Sequence, residues 1–362
     1  MRLSFFGAYD PDYPRNAVIR KGLRQNGVEV CGCGLRPKCK FWMRYPLLFF
    51  RFIHSCSKRS FFFVPEFGQK DVPLAKFLSL LTSRKIIFDP LAPRYETKIT
   101  DWKRKPPDSW QARWNFTIDS WAFAFSDLIL ADTQAHKDYY CLEYGILSNK
   151  VEVLPVGYDD EIYRPDLAAG NGNRFTALFY GSFLPLHGAD AVVQAAGIVS
   201  KEDPSIEFIL VGSGQTFPHV KALASKLRLD NIQFEDWLPQ GELPRRIASA
   251  DICLGIFGKT EKAGRVVPHK IYQSMGMGKP VITARTPAVE EFFSHRENIF
   301  LIPEPYPENL AQAILELKRD KDLRGRIAEE GHQLVRKEYS PVAIGRTLIR
   351  IIEKKFLVGG KV

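Results

Sequence analysis

Short apolar runs alternate with helical stretches along almost the whole sequence, and the alternation begins again near the middle of the chain. In the first half the runs are RLSFFG (2–7), VEV (28–30), FFFVP (61–65), KIIFD (85–89), DLILAD (127–132) and VEVLPV (151–156). In the second half they are FTALFYG (175–181), IEFILVG (206–212), IQFED (232–236), DICLGIF (251–257), PVITA (280–284) and NIFLI (298–302). Parallel strands joined by crossover helices produce this pattern. The chain is therefore predicted to be α/β, with two open sheets in tandem.

Between Pro155 and Phe175 the apolar periodicity disappears, and glycine, asparagine and proline accumulate, which predicts a linker. The sequence thus predicts a first domain over 1–168 and a second over 174–338, with a helix at about 340–362 that packs back on the first. A chain of 362 residues is long enough for two cores. Open parallel sheets bind ligands at the carboxyl ends of their strands, so a substrate is expected between the domains.

The chain carries 51 basic and 41 acidic residues, a net charge of +10, which favours an anionic partner. The segment 36–59 contains no acid and mixes aromatic and aliphatic residues with seven bases: Arg36, Lys38, Lys40, Arg44, Arg51, Lys58 and Arg59. Such a segment suits the surface of an anionic bilayer, and it equally suits a core helix with a solvated basic face. Arg51 interrupts its apolar run, so the segment is predicted not to cross a membrane.

Six cysteines are too sparse for a disulfide scaffold, and no secretory leader opens the chain. Four of them are close in sequence, at Cys31, Cys33, Cys39 and Cys56, but their spacing matches no common zinc pattern. They are interpreted as isolated buried thiols. We therefore expect a reducing cytoplasm and no metal site.

The stretch GRVVPHKIYQSMGMGKPVIT (264–283) predicts a short helix that begins near Pro268 and ends before Pro280. The amino end of such a helix attracts anions through its free N–H groups and its dipole. Arg265 and Lys270 add donors suited to a diphosphate.

A second candidate is FYGSFLPLHGAD (179–190), a buried strand followed by a loop and a helix. Gly181 lets the backbone approach a ligand closely, and Gly212, in VGSG after the next strand, suggests a similar loop. His187 is interpreted either as a donor to a phosphate oxygen or as a helix cap.

The second half resembles the nucleotide-sugar domain of the family 4 retaining glycosyltransferases. The motifs that carry the resemblance are FYGSFLPLHGAD, IEFILVGSGQ, ASADICLGIF, PHKIYQSMGMGKPVIT and TPAVEEFF. The first half is similar more loosely, through ILADTQAHKDYY and VEVLPVGYDDEIYRPD. The resemblance implies the GT-B fold, in which two Rossmann-like domains face each other across a deep cleft.

In that family a lysine and an arginine hold the donor diphosphate, and two glutamates contact the donor, the second at the ribose hydroxyls. This chain has Gln273 at the second glutamate position and Arg265 at the first. Ser182 and His187 stand where the family has Arg and Lys, so Arg265 and Lys270 are expected to supply the missing charge. A glutamine still bonds to hydroxyls, so nucleotide binding is expected to survive. Glu291, in TPAVEEFF, falls on another family position close to the donor.

The resemblance also implies the reaction, in which a sugar passes with retention from a UDP- or GDP-sugar to a hydroxyl of a glycan or lipid-linked acceptor, without a metal or other cofactor. Asp89 stands near the place of a family histidine, and Glu66 ends another strand of the first half. Either carboxylate is interpreted as catalytic or as a helix cap. Three further candidates on the acceptor side are Gly7, Arg15 and Asn16, and Arg15 fits a solvated face equally well.

The expected role is cell-surface polysaccharide or glycolipid synthesis, in the cytoplasm or at the inner face of the plasma membrane. Two rival interpretations keep the nucleotide site: an epimerase that acts on the donor alone, and a partner subunit without turnover. A nucleic-acid partner has only the net charge in its favour, because no nucleic-acid-binding motif accompanies it.

Overall fold

The structure, a computed structural model, describes residues 1–36, 39–55, 60–166, 174–239 and 241–358. The chain divides into two compact units, Met1–Val156 with Ser340–Val362 and Gly157–Tyr339. The predicted linker residues 170–173 lie outside the described residues. No helix in the described ranges is both long and apolar enough to span a bilayer.

The first predicted domain runs to residue 168, whereas the structure assigns the chain from Gly157 onward to the second unit. The reason is the burial of Tyr158 and Tyr163, which are 2% and 5% exposed. The Tyr158 amide also donates to the carbonyl of Tyr339, at 3.2 Å. These two aromatic side chains anchor the first part of the predicted linker to the second unit.

The first unit contains a six-stranded parallel sheet made of β1 (Arg2–Ala8), β2 (Glu29–Leu35), β3 (Phe61–Val64), β4 (Ile86–Phe88), β5 (Leu128–Ala131) and β6 (Val151–Val153). Their order is β2-β1-β3-β4-β5-β6. The helices between them are α1 (Pro14–Gln25), α2 (Phe41–Ser55), α3 (Val72–Thr82), α4 (Trp110–Phe125) and α5 (Gln134–Tyr144), with a π-helical turn at Glu96–Asp101. The central strands are almost entirely buried, as expected of a sheet covered on both faces.

The second unit repeats this plan with β7 (Phe175–Tyr180), β8 (Ile206–Val211), β9 (Ile232–Glu235), β10 (Ile252–Leu254), β11 (Val281–Ala284) and β12 (Phe300–Ile302). Their order is β12-β11-β10-β7-β8-β9, again all parallel. The helices are α6 (Ala189–Glu202), α7 (Phe217–Lys226), α8 (Leu243–Ala248), α9 (His269–Gly276), α10 (Pro287–Glu290), α11 (Pro307–Arg319) and α12 (Lys321–Glu338). Both predicted sheets and all twelve predicted strands are thus present.

The last α-helix, α13 (Pro341–Ile352), and the π-helical turn after it, Glu353–Val358, belong to the first unit. Helix α13 crosses α1 where Gly22 of α1 faces Gly345 of α13. A Cβ on Gly22 would lie 1.9 Å from the Pro341 carbonyl oxygen. A Cβ on Gly345 would lie 2.3 Å from the Gly22 carbonyl. The side-chain amide of Asn26 donates to the Val342 carbonyl at 3.0 Å. The predicted return of the C-terminal helix therefore depends on two small residues at the crossing.

The cysteines differ in part from the prediction of isolated buried thiols. Cys31, Cys39, Cys141 and Cys253 are free, but only Cys253 among them is buried. Cys33 is buried and disulfide-bonded. Cys56 lies outside the described residues.

Candidate functional site

Backbone hydrogen bonds join the loops that follow β7 and β8. The Gly181 amide donates to the Val211 carbonyl at 3.0 Å, and the Phe183 amide donates to the Ser213 carbonyl at 2.9 Å. Gly181 and Gly212 have φ values of 126° and 123°, which residues with a side chain rarely adopt. A Cβ on Gly212 would lie 2.2 Å from the Gly181 carbonyl oxygen. The predicted glycines therefore permit a close backbone contact at the carboxyl end of the sheet.

The side chain of Lys270 ends at this glycine loop. A Cβ built on Gly181 would lie 3.7 Å from the Lys270 Nζ and 3.9 Å from the His187 Cε1. The Lys270 Nζ also lies 3.9 Å from the ring centroid of Phe179. This nitrogen is buried without a hydrogen-bond partner, and burial lowers the pKa of Lys270 to about 7. Three predicted positions, Gly181, His187 and Lys270, thus converge on one point.

His187 is 8% exposed and ends the 3-10 turn Pro185–His187. Burial, and then the charge of Lys270, lowers the pKa of His187 well below its usual value, so its ring is neutral at pH 7. Its Nδ1 has no hydrogen-bond partner. The cap of α6 is Gly188, and no side chain caps this helix, so the helix-cap interpretation of His187 is wrong.

The hydroxyl of Tyr180 holds the start of α9 against the end of β7. It donates to the Lys270 carbonyl at 3.0 Å and lies 3.1 Å from the Ser274 Oγ. Gln273, which the resemblance places at the ribose, is 6% exposed, with its Oε1 3.4 Å from the Tyr180 hydroxyl. The helix begins directly after Pro268, and no side chain caps its first turn. The amino end of α9 is therefore held in place by the strand beside it.

The remaining predicted donor residues lie nearer the surface. Arg265 follows a 3-10 turn and pairs with Glu261, Nη2 to Oε2 at 2.6 Å. Ser182 is half-buried, and Glu291 is exposed at the end of α10.

In the first unit, Arg15 and Asp89 form a buried ion pair, with Nε 2.6 Å from Oδ2 and neither side chain exposed. Arg15 also donates to the carbonyls of Leu154 and Pro155, at 3.1 and 3.3 Å. The solvated-face interpretation of Arg15 is therefore wrong. The pair links the end of β4 to the segment after β6.

Glu66 is 3% exposed, and its Oε2 has no hydrogen-bond partner. Burial, and then the charge of Asp89, raises the pKa of Glu66 to about 9, so the carboxyl is protonated at pH 7. Asn16 is buried, its Nδ2 donates to the Asp10 carbonyl at 2.6 Å, and its Oδ1 has no partner. Glu66 and Asn16 are thus the predicted acceptor-side residues that retain unused polar atoms, together with Oδ1 of Asp89.

Gly7, at the end of β1, has a φ of 128°. A Cβ there would lie 2.6 Å from the Asp71 Oδ2, which accepts a hydrogen bond from the Ala8 amide at 2.8 Å. Arg44 donates to the other oxygen of this carboxylate, Nε to Oδ1 at 2.5 Å. Gly7 therefore leaves room for a buried carboxylate of its own unit.

Comparison with known proteins assigns the second unit to a family. Residues 161–334 match the family described as Glycosyl transferases group 1. The second unit is a group 1 glycosyltransferase domain. Relatives include the lipopolysaccharide core biosynthesis glycosyltransferase LpsE of Rhizobium meliloti, which is 25% identical over 48% of each chain. The GDP-mannose-dependent phosphatidylinositol monomannoside mannosyltransferase of Mycobacterium tuberculosis is 25% identical over 51% of each chain. The chain thus spans about half the length of the curated relatives that it matches.

Solved structures extend the likeness in fold over both units. Anabaena Alr3699/HepE, solved with UDP and glucose, superposes with a TM-score of 0.72 at 16% identity, over 97% of this chain and 99% of that chain. Sucrose-phosphate synthase of Thermosynechococcus elongatus gives 0.74 at 14% identity, over 98% and 99%. The predicted fold class, GT-B, is confirmed.

Sequence reasoning missed two residues beside the glycosyltransferase domain's Lys270. Tyr180, interpreted only as part of a strand, positions α9. Lys262 is 6% exposed, and its charge helps to lower the pKa of His187, so it lies close to that ring. The cluster of cations in GKTEKAGR was the available signal for Lys262.

Sequence reasoning also missed a buried network of charged side chains in the first unit. The two ring nitrogens of His136 lie 2.6 Å from the Asp132 Oδ1 and 3.0 Å from the Glu96 Oε2. Burial opposes the charge of this ring, but the two carboxylates prevail and raise the pKa of His136 to about 9. The four-residue spacing between Asp132, directly after β5, and His136, on α5, was visible, whereas Glu96 is distant in sequence.

Proposed function

We propose that this protein is a glycosyltransferase that moves a sugar from a UDP- or GDP-sugar to a hydroxyl of a glycan or lipid-linked acceptor, with retention. The observation that carries the proposal is the buried, unpartnered ammonium group of Lys270 beside Gly181 and His187, in a group 1 glycosyltransferase domain. The relative named for lipopolysaccharide core biosynthesis supports a role in polysaccharide or glycolipid synthesis, which the proposal places in the cytoplasm.

The leaving diphosphate gains negative charge as its bond to the anomeric carbon of the sugar breaks. Preorganised cations and N–H donors at that point lower the barrier. Lys270 is held there without a competing partner, and Lys262 adds a second cation near His187. A bound diphosphate raises the pKa of Lys270 back toward its ordinary value, because the anion compensates the burial of the charge. In this proposal the chain's own cations neutralise the leaving group without a resident metal.

On the acceptor side, the full burial of Asp89 against Arg15 favours a positioning role over proton transfer. Glu66, protonated at pH 7 and without a partner at Oε2, is the carboxyl proposed to orient the acceptor hydroxyl. Gln273, held beside Tyr180, is proposed to bond to the ribose hydroxyls.

A thermal-shift panel of UDP-, GDP- and dTDP-sugars tests the donor proposal. We expect one nucleotide to raise the melting temperature, because a ligand that binds only the folded protein stabilises it by mass action. With an acceptor extract, the same donor should then release nucleoside diphosphate. No shift with any sugar nucleotide contradicts the proposal, and conversion of the donor without an acceptor identifies an epimerase instead.

We further propose that α2 rests on an anionic membrane surface. Leu48 and Phe52 pack in the core, while four large apolar side chains of the same helix are exposed: Met43, Leu47, Phe50 and Ile53. Arg51 donates to the Gly34 carbonyl. The outward face is thus more apolar than the solvated basic face considered above. Within the predicted segment 36–59, Lys38, Lys58 and Arg59 lie outside the described residues.

Flotation with anionic vesicles at low salt should carry the protein to the lipid fraction. Phe50→Ser with Ile53→Ser is expected to reduce the bound fraction roughly tenfold or more, because each side chain loses apolar burial in the interface. Leu227→Ser, at an exposed leucine of the second unit, is the matched control. Wild-type protein that stays in the soluble fraction contradicts the membrane proposal.

A further inference from the structure

Three segments meet at the carboxyl edge of the sheet in the first unit. The loop after β3 is joined to the loop after β4, where the Gln69 side-chain amide donates to the Ala92 carbonyl at 3.0 Å. The same loop is joined to α2, where the Tyr45 hydroxyl donates to the Lys70 carbonyl at 2.5 Å. Arg44, one residue before Tyr45, binds Asp71. These bonds hold α2 and both loops together.

Each of these segments contributes a cation. Arg44 comes from the start of α2, Lys70 from the loop after β3, and Arg94 and Lys98 from the chain after β4. Burial lowers the pKa of Lys70, and repulsion from the charges of Arg94 and Arg44 lowers it further. After burial, the charges of Arg94, Lys70 and Arg104 lower the pKa of Lys98 to about 8. The hydrogen bonds between their segments and this mutual repulsion place the four cations in one cluster.

Two carboxylates near this cluster are already engaged. Asp71 is held by Arg44 and by the Ala8 amide. Asp119 accepts the backbone amides of Arg94 and Tyr95, at 3.0 and 2.8 Å, and burial raises its pKa to about 7. The Arg94 Nε, by contrast, is buried without a hydrogen-bond partner. An anionic ligand at this point would supply the acceptor that a buried guanidinium nitrogen normally has.

We propose that Arg44, Lys70, Arg94 and Lys98 form a binding site for a phosphate or diphosphate group of the acceptor. The inference rests on the proposed function, because it names the acceptor of that reaction. The guanidinium fork of Arg94 and the ammonium groups of Lys70 and Lys98, with the charge of Arg44 beside them, suit a multiply charged phosphate better than a single carboxylate. The site lies in the first unit, whereas Gly181, His187 and Lys270 belong to the second. The protein thus holds two separate phosphate sites, one for the donor and one for the acceptor.

Calorimetry with pyrophosphate tests the second site in full-length protein that carries Lys270→Met, which removes the donor-side cation. We expect binding to remain and to weaken roughly 100-fold when Arg94→Gln and Lys98→Gln are added, because two charge-assisted contacts are lost. Lys201→Gln with Lys221→Gln removes the same charge at exposed positions of the second unit and should leave the affinity nearly unchanged. The proposal is overturned if the two pairs of substitutions weaken pyrophosphate binding equally, or if the Lys270→Met protein does not bind pyrophosphate.

Two further probes distinguish the source of the phosphate. Glycerol 3-phosphate represents a soluble acceptor, and phosphatidylcholine vesicles with phosphatidic acid represent a lipid acceptor. Binding of either probe that is lost with Arg94→Gln and Lys98→Gln supports the site and identifies its ligand class. Arg94→Lys, which keeps the charge but loses the guanidinium fork, should retain more of the affinity than Arg94→Gln. A cluster with only a structural role would leave the affinity unchanged in every variant.

Nucleotide binding tests the donor proposal separately. The variant with Arg94→Gln and Lys98→Gln in the presence of Lys270 should bind UDP or GDP as the wild type does. If the nucleotide binds but pyrophosphate finds no second site, only the acceptor inference fails. If neither nucleotide binds the wild type, the proposed function fails independently of this site.

Discussion

Replacing Lys270 with Met is expected to weaken the binding of nucleoside diphosphate about 100-fold while making the folded protein more stable. The ammonium group is buried without a hydrogen-bond partner, so the free protein bears the cost of its desolvation. Removing such a group recovers about 1–3 kcal/mol, and the methionine packs against Phe179. The bound diphosphate loses its charge-assisted contacts, about 3 kcal/mol in total.

The pH dependence of stability provides a separate signature for Lys270. Its pKa is about 7 in the folded protein and 10.5 ordinarily, so the unfolded chain binds more protons between these values. The destabilisation is therefore complete below pH 7 and is relieved as the pH rises toward 10.5. Lys270→Met should stabilise the protein most below pH 7, as measured by urea unfolding.

Calorimetry at pH 8 should also show proton uptake when UDP or GDP binds the wild type, because the ligand restores the charge of Lys270. Lys221→Met, at an exposed lysine of the same unit, is the control. Unchanged nucleotide affinity in the double variant Arg265→Ala, Lys270→Ala would contradict the donor-site assignment. Comparing that variant with the single Lys270 change measures the share of Arg265, which the structure pairs with Glu261.

Replacing Arg15 with Met should lower the free energy of unfolding by about 3–5 kcal/mol, because it leaves Asp89 buried without its counter-ion. The same change removes the donors to the carbonyls of Leu154 and Pro155. Adding Asp89→Leu should recover much of the loss, since a buried ion pair replaced by apolar groups is often neutral.

Urea unfolding of the two single variants and the double variant gives the coupling energy of this pair. The matched control is Arg2→Met, because Arg2 pairs with Glu29 on the same sheet with side chains 36% and 55% exposed. Its cost should stay below about 1 kcal/mol. Equal losses at Arg2 and Arg15 would show that the buried pair has no special role.

The predictions that succeeded depend on local patterns. Each strand is an apolar run bounded by turn residues, and the crossover helices between the strands have apolar residues at helical spacing. The twelve strands could therefore be placed without tertiary information. The helix at Pro268 was also local, because proline and glycine determine where it begins and ends. The convergence of Gly181, His187 and Lys270 followed from the rule that ligand loops gather at the carboxyl ends of parallel strands.

The predictions that failed depend on distant contacts. The boundary at 168 missed the burial of Tyr158, which bonds to Tyr339. The solvated interpretation of Arg15 missed Asp89, which is far along the chain and ends another strand. Two features that the sequence did not predict also depend on separate segments. They are the bond between Glu96 and His136 and the cluster of cations that contains Arg94.

By itself, then, the sequence determined the two parallel sheets, their glycine loops and the cation at the start of α9, because strand and helix signals reside in neighbouring residues. Only the tertiary structure decided which charges are paired and which are left without a partner. The charged groups of Arg15 and Lys270 are both buried, but Arg15 pairs with a carboxylate, whereas the Lys270 Nζ lies against a phenyl ring and has no hydrogen-bond partner. Desolvation and charge pairing depend on which groups lie nearby in the folded protein. They therefore decide whether a buried cation stabilises the fold or is available to bind a ligand.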